Sequence, residues 1–579
     1  MNTLYQKITF LLELFVNGIF IVLYLMSTSE NMNISFISSD LLEQLLFILK
    51  YIAPFIVLGT IFSYYLTESS LDSFIRKYIF SLICIFPMFL TLGDLQFTFW
   101  LSAVHLFASV LSLYESSSDE VPEKIRTNQT QTSILERIKL APAQIVIISF
   151  CAIIAFGTVL LSLPIAAADG IEIGFVDAFF TATSATCVTG LSTLSLSDNF
   201  SFAGQIVVLI LIQVGGLGYM TLYSSMTILL GKSLAVSDKV MMQDLLDISS
   251  FEDLVQMIVN IVKYTLVIEI IGAIILTVAF TLEGLDFSDS LYYGIFHSIS
   301  AFCNAGFALF NDSLVSYGTN PLIHGTISIL IFLGGLGFIV LKELEFVIFK
   351  GQKIINLSVH SKIVLTTNIA LVFLVATYIF FGEYLNGLNT FEFWEKIQFS
   401  IFQSITTRTA GFNTIDFSNL HPHTIYFMSL IMFIGASPGS TGGGIKTTTF
   451  AILFQSVKAT LRGREQVEFF ERRVPNMIVV RAIAIIVISL IIVSFFILLM
   501  MRLEPEHDFL AIFFEVVSAF ATVGLSLGIT PYLSAAGKVA MIILMFIGRV
   551  GPLTLALAIG KNRKESGKVD YPEGRVMIG

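Results

Sequence analysis

Twelve apolar runs leave this chain one class of fold. They lie near 8–25, 44–64, 78–92, 97–113, 143–164, 203–230, 257–281, 321–349, 363–382, 424–456, 477–501 and 535–559. A helix crosses the hydrocarbon layer with about 20 apolar residues. Inside lipid the backbone must satisfy its own polar groups, so only helices and closed barrels span. Barrel strands are short and alternate in polarity, whereas these runs are long and continuous. An all-α polytopic membrane protein is expected. Charged residues are 13% of the chain, about half the ~25% of a soluble domain. A soluble enzyme, a disordered chain and a nucleic-acid binder are excluded. Cys84, Cys151, Cys187 and Cys303 lack CxxC spacing, so neither a disulfide framework nor a zinc site is indicated.

Charge sets the topology. Most of the 32 Lys and Arg fall in 65–77, 114–140, 231–263, 342–362, 458–481 and 561–575, with Lys7 at the start. The opposite loops hold Lys396 and Lys538, and are acidic at Asp169, Glu172, Asp177, Glu283, Asp286, Asp312 and Asp416. This positive-inside bias puts both termini in the cytoplasm, as twelve spans require. A signal peptide fits poorly, because Met26-Ser27-Thr28-Ser29-Glu30 follows the first run without a small-residue cleavage site.

Four shorter runs, near 176–187, 291–302, 394–406 and 508–520, are too short to span and fall on the outer side. Each closes on glycine: Thr186-Cys187-Val188-Thr189-Gly190, Phe302-Cys303-Asn304-Ala305-Gly306, Thr407-Arg408-Thr409-Ala410-Gly411 and Phe520-Ala521-Thr522-Val523-Gly524. Six residues before glycine stand Ser184, Ser300 and Ser518, but Ile405 in the third case. Ten before stand Phe180, Phe296 and Phe514, with Phe402 slipped by one. A second mark follows in phase: Gly215-Gly216-Leu217-Gly218, Gly334-Gly335-Leu336-Gly337, Gly435-Ala436 and Gly548-Arg549-Val550-Gly551. The repeating unit is span, short re-entrant helix, extended glycine segment, span. The expected fold is four such pore repeats, eight spans and four pore helices, preceded by about four extra transmembrane helices.

Extended backbone at membrane depth is tolerated only inside protein or along a wet cavity. Four such segments about one axis present rings of carbonyls, which replace a cation's hydration shell. Glycine permits the backbone angles this needs. A pore helix aimed C-terminus first adds partial negative charge. A single repeat reads as readily as a helix cap or a packing motif; four in phase favour a pore.

At these residues the chain resembles the bacterial Ktr/Trk potassium-transporter superfamily, most closely the Ktr-type membrane subunit. Phe402 to Asp416 is similar to its third filter, Gly435 to Thr447 to the span that follows, and Tyr571 to Gly579 to its end. The likeness covers roughly 141–579. It implies potassium bound by the filter backbone at 186–190, 302–306, 407–411 and 520–524. It also implies an intramembrane gate at Gly435, Ala436, Ser437, Pro438, Gly439, Ser440, Thr441, Gly442, Gly443 and Gly444, with Lys446 and Arg549. Glycine at all four filter ends goes with potassium preference in that superfamily. The resemblance further implies a bacterial inner-membrane location, a homodimer, a cytosolic nucleotide-binding regulatory subunit of the KtrA/TrkA type, no covalent cofactor, and sodium as a modulator. No metal beyond potassium and no nucleic acid is expected.

The organisation read here is an N-terminal four-span region (1–113), a cytoplasmic linker (114–140), pore repeats at 141–232, 233–350, 351–458 and 459–562, and a tail (563–579). The stretch 435–447 is too rich in glycine and hydroxyls for a straight helix and reads as a broken span. Lys446 beside it either serves the gate or snorkels as an anchor. Arg549 fills the slot of Gly216 and Gly335; it meters cations, pairs with gate-loop carbonyls, or pairs with Glu515. Arg408 reads as a brace behind the filter. Glu515 and His297, nine residues before their glycines, read as filter supports. A sodium-permeable transporter of the same superfamily is the rival reading. A membrane enzyme is more remote, because the seven His show no HxxxH or HExxH spacing. No Walker A or GxGxxG unit gives the chain its own nucleotide site.

Overall fold

The computed structural model describes residues 12–20, 23, 24, 39–67, 98, 102, 105, 142–218, 251–464, 466–552, 554 and 555. The chain forms two compact units, Met1–Thr132 and Ser133–Gly579. In the first, α1 (Ser39–Thr67) buries Leu46, Ala53, Val57 and Ile61 and exposes Phe47, Tyr51, Phe55 and Phe62. An exposed apolar face of that length suits lipid rather than water.

The second unit repeats one plan four times. The first repeat has α2 (Pro142–Leu161), α3 (Phe175–Thr186) and α4 (Phe202–Leu217). The second has α5 (Phe251–Leu282), α6 (Phe287–Phe302), α7 (Pro321–Leu336) and α8 (Phe338–Lys350). The third has α9 (Val359–Glu383), α10 (Phe393–Thr406), α11 (Pro422–Met432) and α12 (Thr447–Leu461). The fourth has α13 (Asn476–Leu503), α14 (Phe509–Ala521) and α15 (Ala535–Val550). A two-residue hairpin, β1 (Glu468–Phe469) with β2 (Arg472–Arg473), joins the third and fourth repeats.

Among the described residues, α1, α5, α9 and α13 contain stretches long and apolar enough to cross a membrane. The helix that follows the short one in each repeat behaves differently. The sequence reads 321–349 as one span, but α7 and α8 meet at 112°. The break falls at Gly337, whose φ is 95°. Helices α4 and α15 end at the matching glycines, Gly218 (φ 77°) and Gly551 (φ 89°). Only glycine takes this backbone without strain, so the last glycine of the second sequence mark is a stop signal. The first glycine has another task. A β-carbon at Gly215, Gly334 or Gly548 would collide with the carbonyl of Thr186, Phe302 or Phe520, at the inner end of the pore helix of its own repeat.

The core fills each repeat and continues across the junctions between them. One apolar cluster joins the first repeat to Phe296, Cys303 and Phe307 of the second. Another joins the second to Phe402, Ala410 and Phe412 of the third. The largest joins the third and fourth to Phe180, Cys187 and Leu191 of the first. Neighbouring repeats therefore close into a ring.

Candidate functional site

The four short helices α3, α6, α10 and α14 carry the site. Their anchoring phenylalanines, Phe180, Phe296, Phe402 and Phe514, are all fully buried. Each helix then hands over to a segment with one backbone rhythm. The residue two before the filter glycine is left-handed: Val188 (φ 57°), Asn304 (φ 59°), Thr409 (φ 67°) and Thr522 (φ 52°). The glycine is left-handed again: Gly190 (93°), Gly306 (70°), Gly411 (81°) and Gly524 (90°). The residue between them has negative φ. Such alternation lets successive carbonyls face one axis, as cation filters require. Left-handed Val and Thr are costly outside glycine, and such strain concentrates at functional sites.

The four glycines form a closed ring. A β-carbon on Gly190 would stand 2.5 Å from the Ala305 carbonyl oxygen and 3.2 Å from Gly306 Cα. On Gly306 it would meet the Ala410 carbonyl at 2.6 Å, and on Gly411 the Val523 carbonyl at 2.5 Å. On Gly524 it would meet the Thr189 carbonyl, returning to the first repeat. The glycine ends of the four expected segments are thus brought together. Thr186, Phe302, Phe520 and Ala521, however, are still helical, so the extended part is shorter than the sequence reading has it.

The third repeat explains its own irregularity. In the first and fourth, Ser184 and Ser518 accept 3.1 Å bonds from the amides of Gly190 and Gly524. In the second, Ser300 donates to the Phe307 carbonyl. Thr406, not Ile405, takes that role in the third, donating to the Phe412 carbonyl at 2.8 Å. The hydroxyl follows its phenylalanine by four residues in every repeat. The residue missing from the third lies between hydroxyl and glycine. The same shift aligns Gln403 with His297 and Glu515. His297 accepts from the Leu309 amide, Gln403 bonds Thr414 at 3.1 Å, and Glu515 binds Ser526 and Thr530. Each holds the strand leaving the glycine.

The segment between α11 and α12 lies directly against the ring. It is pinned to itself by Gly435 N to the Ile445 carbonyl at 2.8 Å and by Lys446 Nζ to the Gly442 carbonyl at 2.8 Å. Lys446 therefore turns back onto the loop. The loop is pinned to the second repeat by Ser437 N to the Gly335 carbonyl, and by Thr441 Oγ1 to the Phe302 and Gly334 carbonyls. It reaches the filter through Gly443 N to Thr522 Oγ1 at 3.1 Å. A β-carbon on Gly442 would strike Thr409 Oγ1.

Arg549 is the other clasp. Its guanidinium donates to the Thr441 carbonyl of the loop and, in the adjoining first repeat, to the Gly215 carbonyl at the end of α4. Of the three readings of Arg549, pairing with the loop carbonyls is the one the structure contains. Glu515 is engaged by hydroxyls instead. Arg408 is buried and donates to the side chain and carbonyl of Asn368 on α9. Asn368 in turn bonds Ser437 at 3.1 Å. Sequence reasoning did not single out Asn368, nor Glu269, which reaches Gln213 and the Cys303 thiol behind the second filter segment. The available signal was polarity within the runs 363–382 and 257–281, since intramembrane polar residues are rarely idle.

A fourfold pore-helix ring around left-handed glycine segments, above a broken helix, is the architecture of a cation-transport protein of the membrane. The model of the TrkH family, described as cation transport protein, matches residues 126–569, and the chain belongs to that family. It is a transporter rather than an enzyme. It is 38% identical over 448 residues to Ktr system potassium uptake protein B of Bacillus subtilis, covering 77% of this chain and 98% of that one. It is 36% identical to potassium/sodium uptake protein NtpJ of Enterococcus hirae, over 76% of this chain and 98% of that one. The crystal structure of the potassium transporter TrkH from Vibrio parahaemolyticus is similar in fold, with a TM-score of 0.57 at 17% identity, covering 88% of this chain and 98% of that chain.

Proposed function

We propose that the chain translocates potassium through the glycine ring, as the membrane subunit of a potassium uptake system. The observation that carries this reading is the closed contact of Gly190, Gly306, Gly411 and Gly524. Four backbones that approach so closely leave carbonyl oxygens as the groups a dehydrated cation meets. The carbonyls of 186–190, 302–306, 407–411 and 520–524 are the proposed potassium ligands. The names of the Bacillus and Enterococcus relatives support potassium as the ion, and the second keeps sodium as a modulator or co-substrate.

The loop from Gly435 to Gly444, with Lys446 and Arg549, is the proposed gate. It occupies the position just beneath the ring and is held there by single hydrogen bonds rather than by a helix. Such a segment exchanges between arrangements more readily than a packed span. The word "system" in the Ktr relatives' names supports a multicomponent assembly. A homodimer joined to a cytosolic nucleotide-binding subunit is the proposed form, in a bacterial inner membrane with both termini cytoplasmic.

The test is rubidium uptake in cells stripped of their own potassium uptake, with and without a nucleotide-binding partner. Saturable uptake that sodium does not displace is expected. Sodium flux in its place, from protein shown to reach the membrane, would make the chain a sodium-permeable transporter.

A further inference from the structure

A groove of about 360 Å³ lies between α7 and the third pore helix, α10. Each helix gives it one face. His324, Ser328 and Phe332 recur every four residues along α7, and Gln398, Ile401 and Ile405 at three and four along α10, the spacing of a single helix face. Beside it the rings of His324 and Phe402 lie 4.5 Å apart. Ile329 and Ile401 line the groove and are exposed, so it opens on the lipid-facing side of the chain.

The groove has two chemically different ends. His324, Ser328 and Gln398 stand in the first half of their helices, Phe332, Leu333 and Ile405 in the second. Both helices run inward. Helix α10 leads into the third filter segment, and a β-carbon on Gly334, near the end of α7, would strike the Phe302 carbonyl at the inner end of α6. The groove is therefore polar near the membrane surface and apolar at depth, as an amphiphile is.

Two further observations point to its ligand. His324 is 4% exposed and Ser328 8%, yet His324 Nε2 and Ser328 Oγ have no hydrogen-bond partner. Hydrocarbon alone cannot satisfy them. Gly325, inside α7, is the second. A β-carbon there would meet nothing within 4 Å. The helix thus carries a residue that weakens it where no neighbour in the chain demands one, and the groove gains its width there.

We propose that the groove binds one acyl chain of a membrane phospholipid, with the ester carbonyl held by His324 and Ser328. A carbonyl oxygen has two lone pairs, so it accepts from both an Nε2–H and a hydroxyl. The hydrocarbon then lies along Phe332, Leu333 and Ile405. A membrane helix of another protein offers no such acceptor, because its carbonyls are used within the helix. Ile405 precedes Thr406, whose hydroxyl donates to the Phe412 carbonyl. The bound chain therefore packs against the support of the third filter segment.

The test uses the purified full-length chain in phosphatidylglycerol vesicles containing a trace of the same lipid with a diazirine on its acyl chain. Light-induced adducts are mapped by peptide mass spectrometry, with the exposed faces of α5 and α13 reporting non-specific lipid contact. Adducts concentrated on α7 and α10 are expected. Replacing the bulk lipid by its diether analogue removes the competing ester carbonyl, and should raise groove labelling about tenfold relative to α5 and α13. Gly325→Phe fills the groove and should abolish labelling there alone. The double variant His324→Phe with Ser328→Ala keeps an aromatic ring against Phe402 and should lose the preference for ester over ether; it decides the matter if Gly325→Phe does not fold. Labelling spread evenly over all exposed helices in both bulk lipids overturns the proposal. So does an ester preference that survives in the double variant. Groove peptides free of adducts, with a two-copy species in native mass spectrometry that Gly325→Phe dissociates, would overturn it in favour of a second copy of the chain.

Discussion

The hydroxyl of Thr522, two residues before the fourth filter glycine, accepts a 3.1 Å hydrogen bond from the amide of Gly443 in the loop beneath. Filter and broken span therefore touch directly, through the Thr522 side chain. Thr522→Val keeps the shape and removes the acceptor. A lost neutral bond weakens the closed loop by about 1 kcal/mol, which corresponds to a flux increase of about fivefold if the loop limits permeation. Rubidium flux per protein in proteoliposomes decides. Flux equal to that of the unaltered chain would detach the loop from gating.

Arg549 should be the stronger of the two clasps, because it bonds carbonyls on two repeats and charge-assisted bonds are about twice as strong as neutral ones. Arg549→Gln retains some polar contact but loses the fork and the positive charge. Flux is expected to exceed that of Thr522→Val. If flux per folded protein stays level while thermal stability falls, Arg549 is only a structural staple.

The ring makes a sharper demand on the filter glycines. A serine at Gly190 would carry its β-carbon to 2.5 Å from the Ala305 carbonyl at φ 93°. The ring must widen at that junction, since a left-handed side-chain residue already costs about 1–2 kcal/mol. Gly190→Ser should therefore loosen discrimination against sodium. The ratio of rubidium to sodium flux measures it, and an unchanged ratio with normal flux would remove Gly190 from the selectivity-determining contact.

Much of this was legible because its signals are local. Long apolar runs can only be helices in lipid, and a glycine needed for a left-handed turn leaves its mark in every repeat. The glycines of the second mark looked like packing motifs. They proved to combine contact at Gly215, Gly334 and Gly548 with helix breaks at Gly218, Gly337 and Gly551. What the chain does not display is pairing across repeats. Ile405 stood out as an exception because the count was made from glycine; counted from Phe402, Thr406 is regular. Asn368 and Arg408 are 40 residues apart, and no periodicity in one helix reports a partner on another. The register of such pairs is set only when the ring closes.

At the junction that sequence order leaves open, an ion pair adds to the apolar packing that closes the ring. Successive repeats are joined by chain, but the fourth meets the first only through space. There Lys538 Nζ, on the first turn of α15, lies 2.6 Å from Asp177 Oδ1, on the first turn of α3. The side chains are 15% and 22% exposed, so the pair is sheltered more than a surface pair, whose worth is about 0–1 kcal/mol. A charge-assisted bond of this kind contributes about 1.5–3 kcal/mol. Lys538→Met and Asp177→Asn should each lower the melting temperature in detergent, and the double variant should fall little further. A double-mutant cycle isolates the coupling. Additive losses would show that the two side chains act separately, and that packing of Phe180 and Cys187 against the fourth repeat closes the ring unaided.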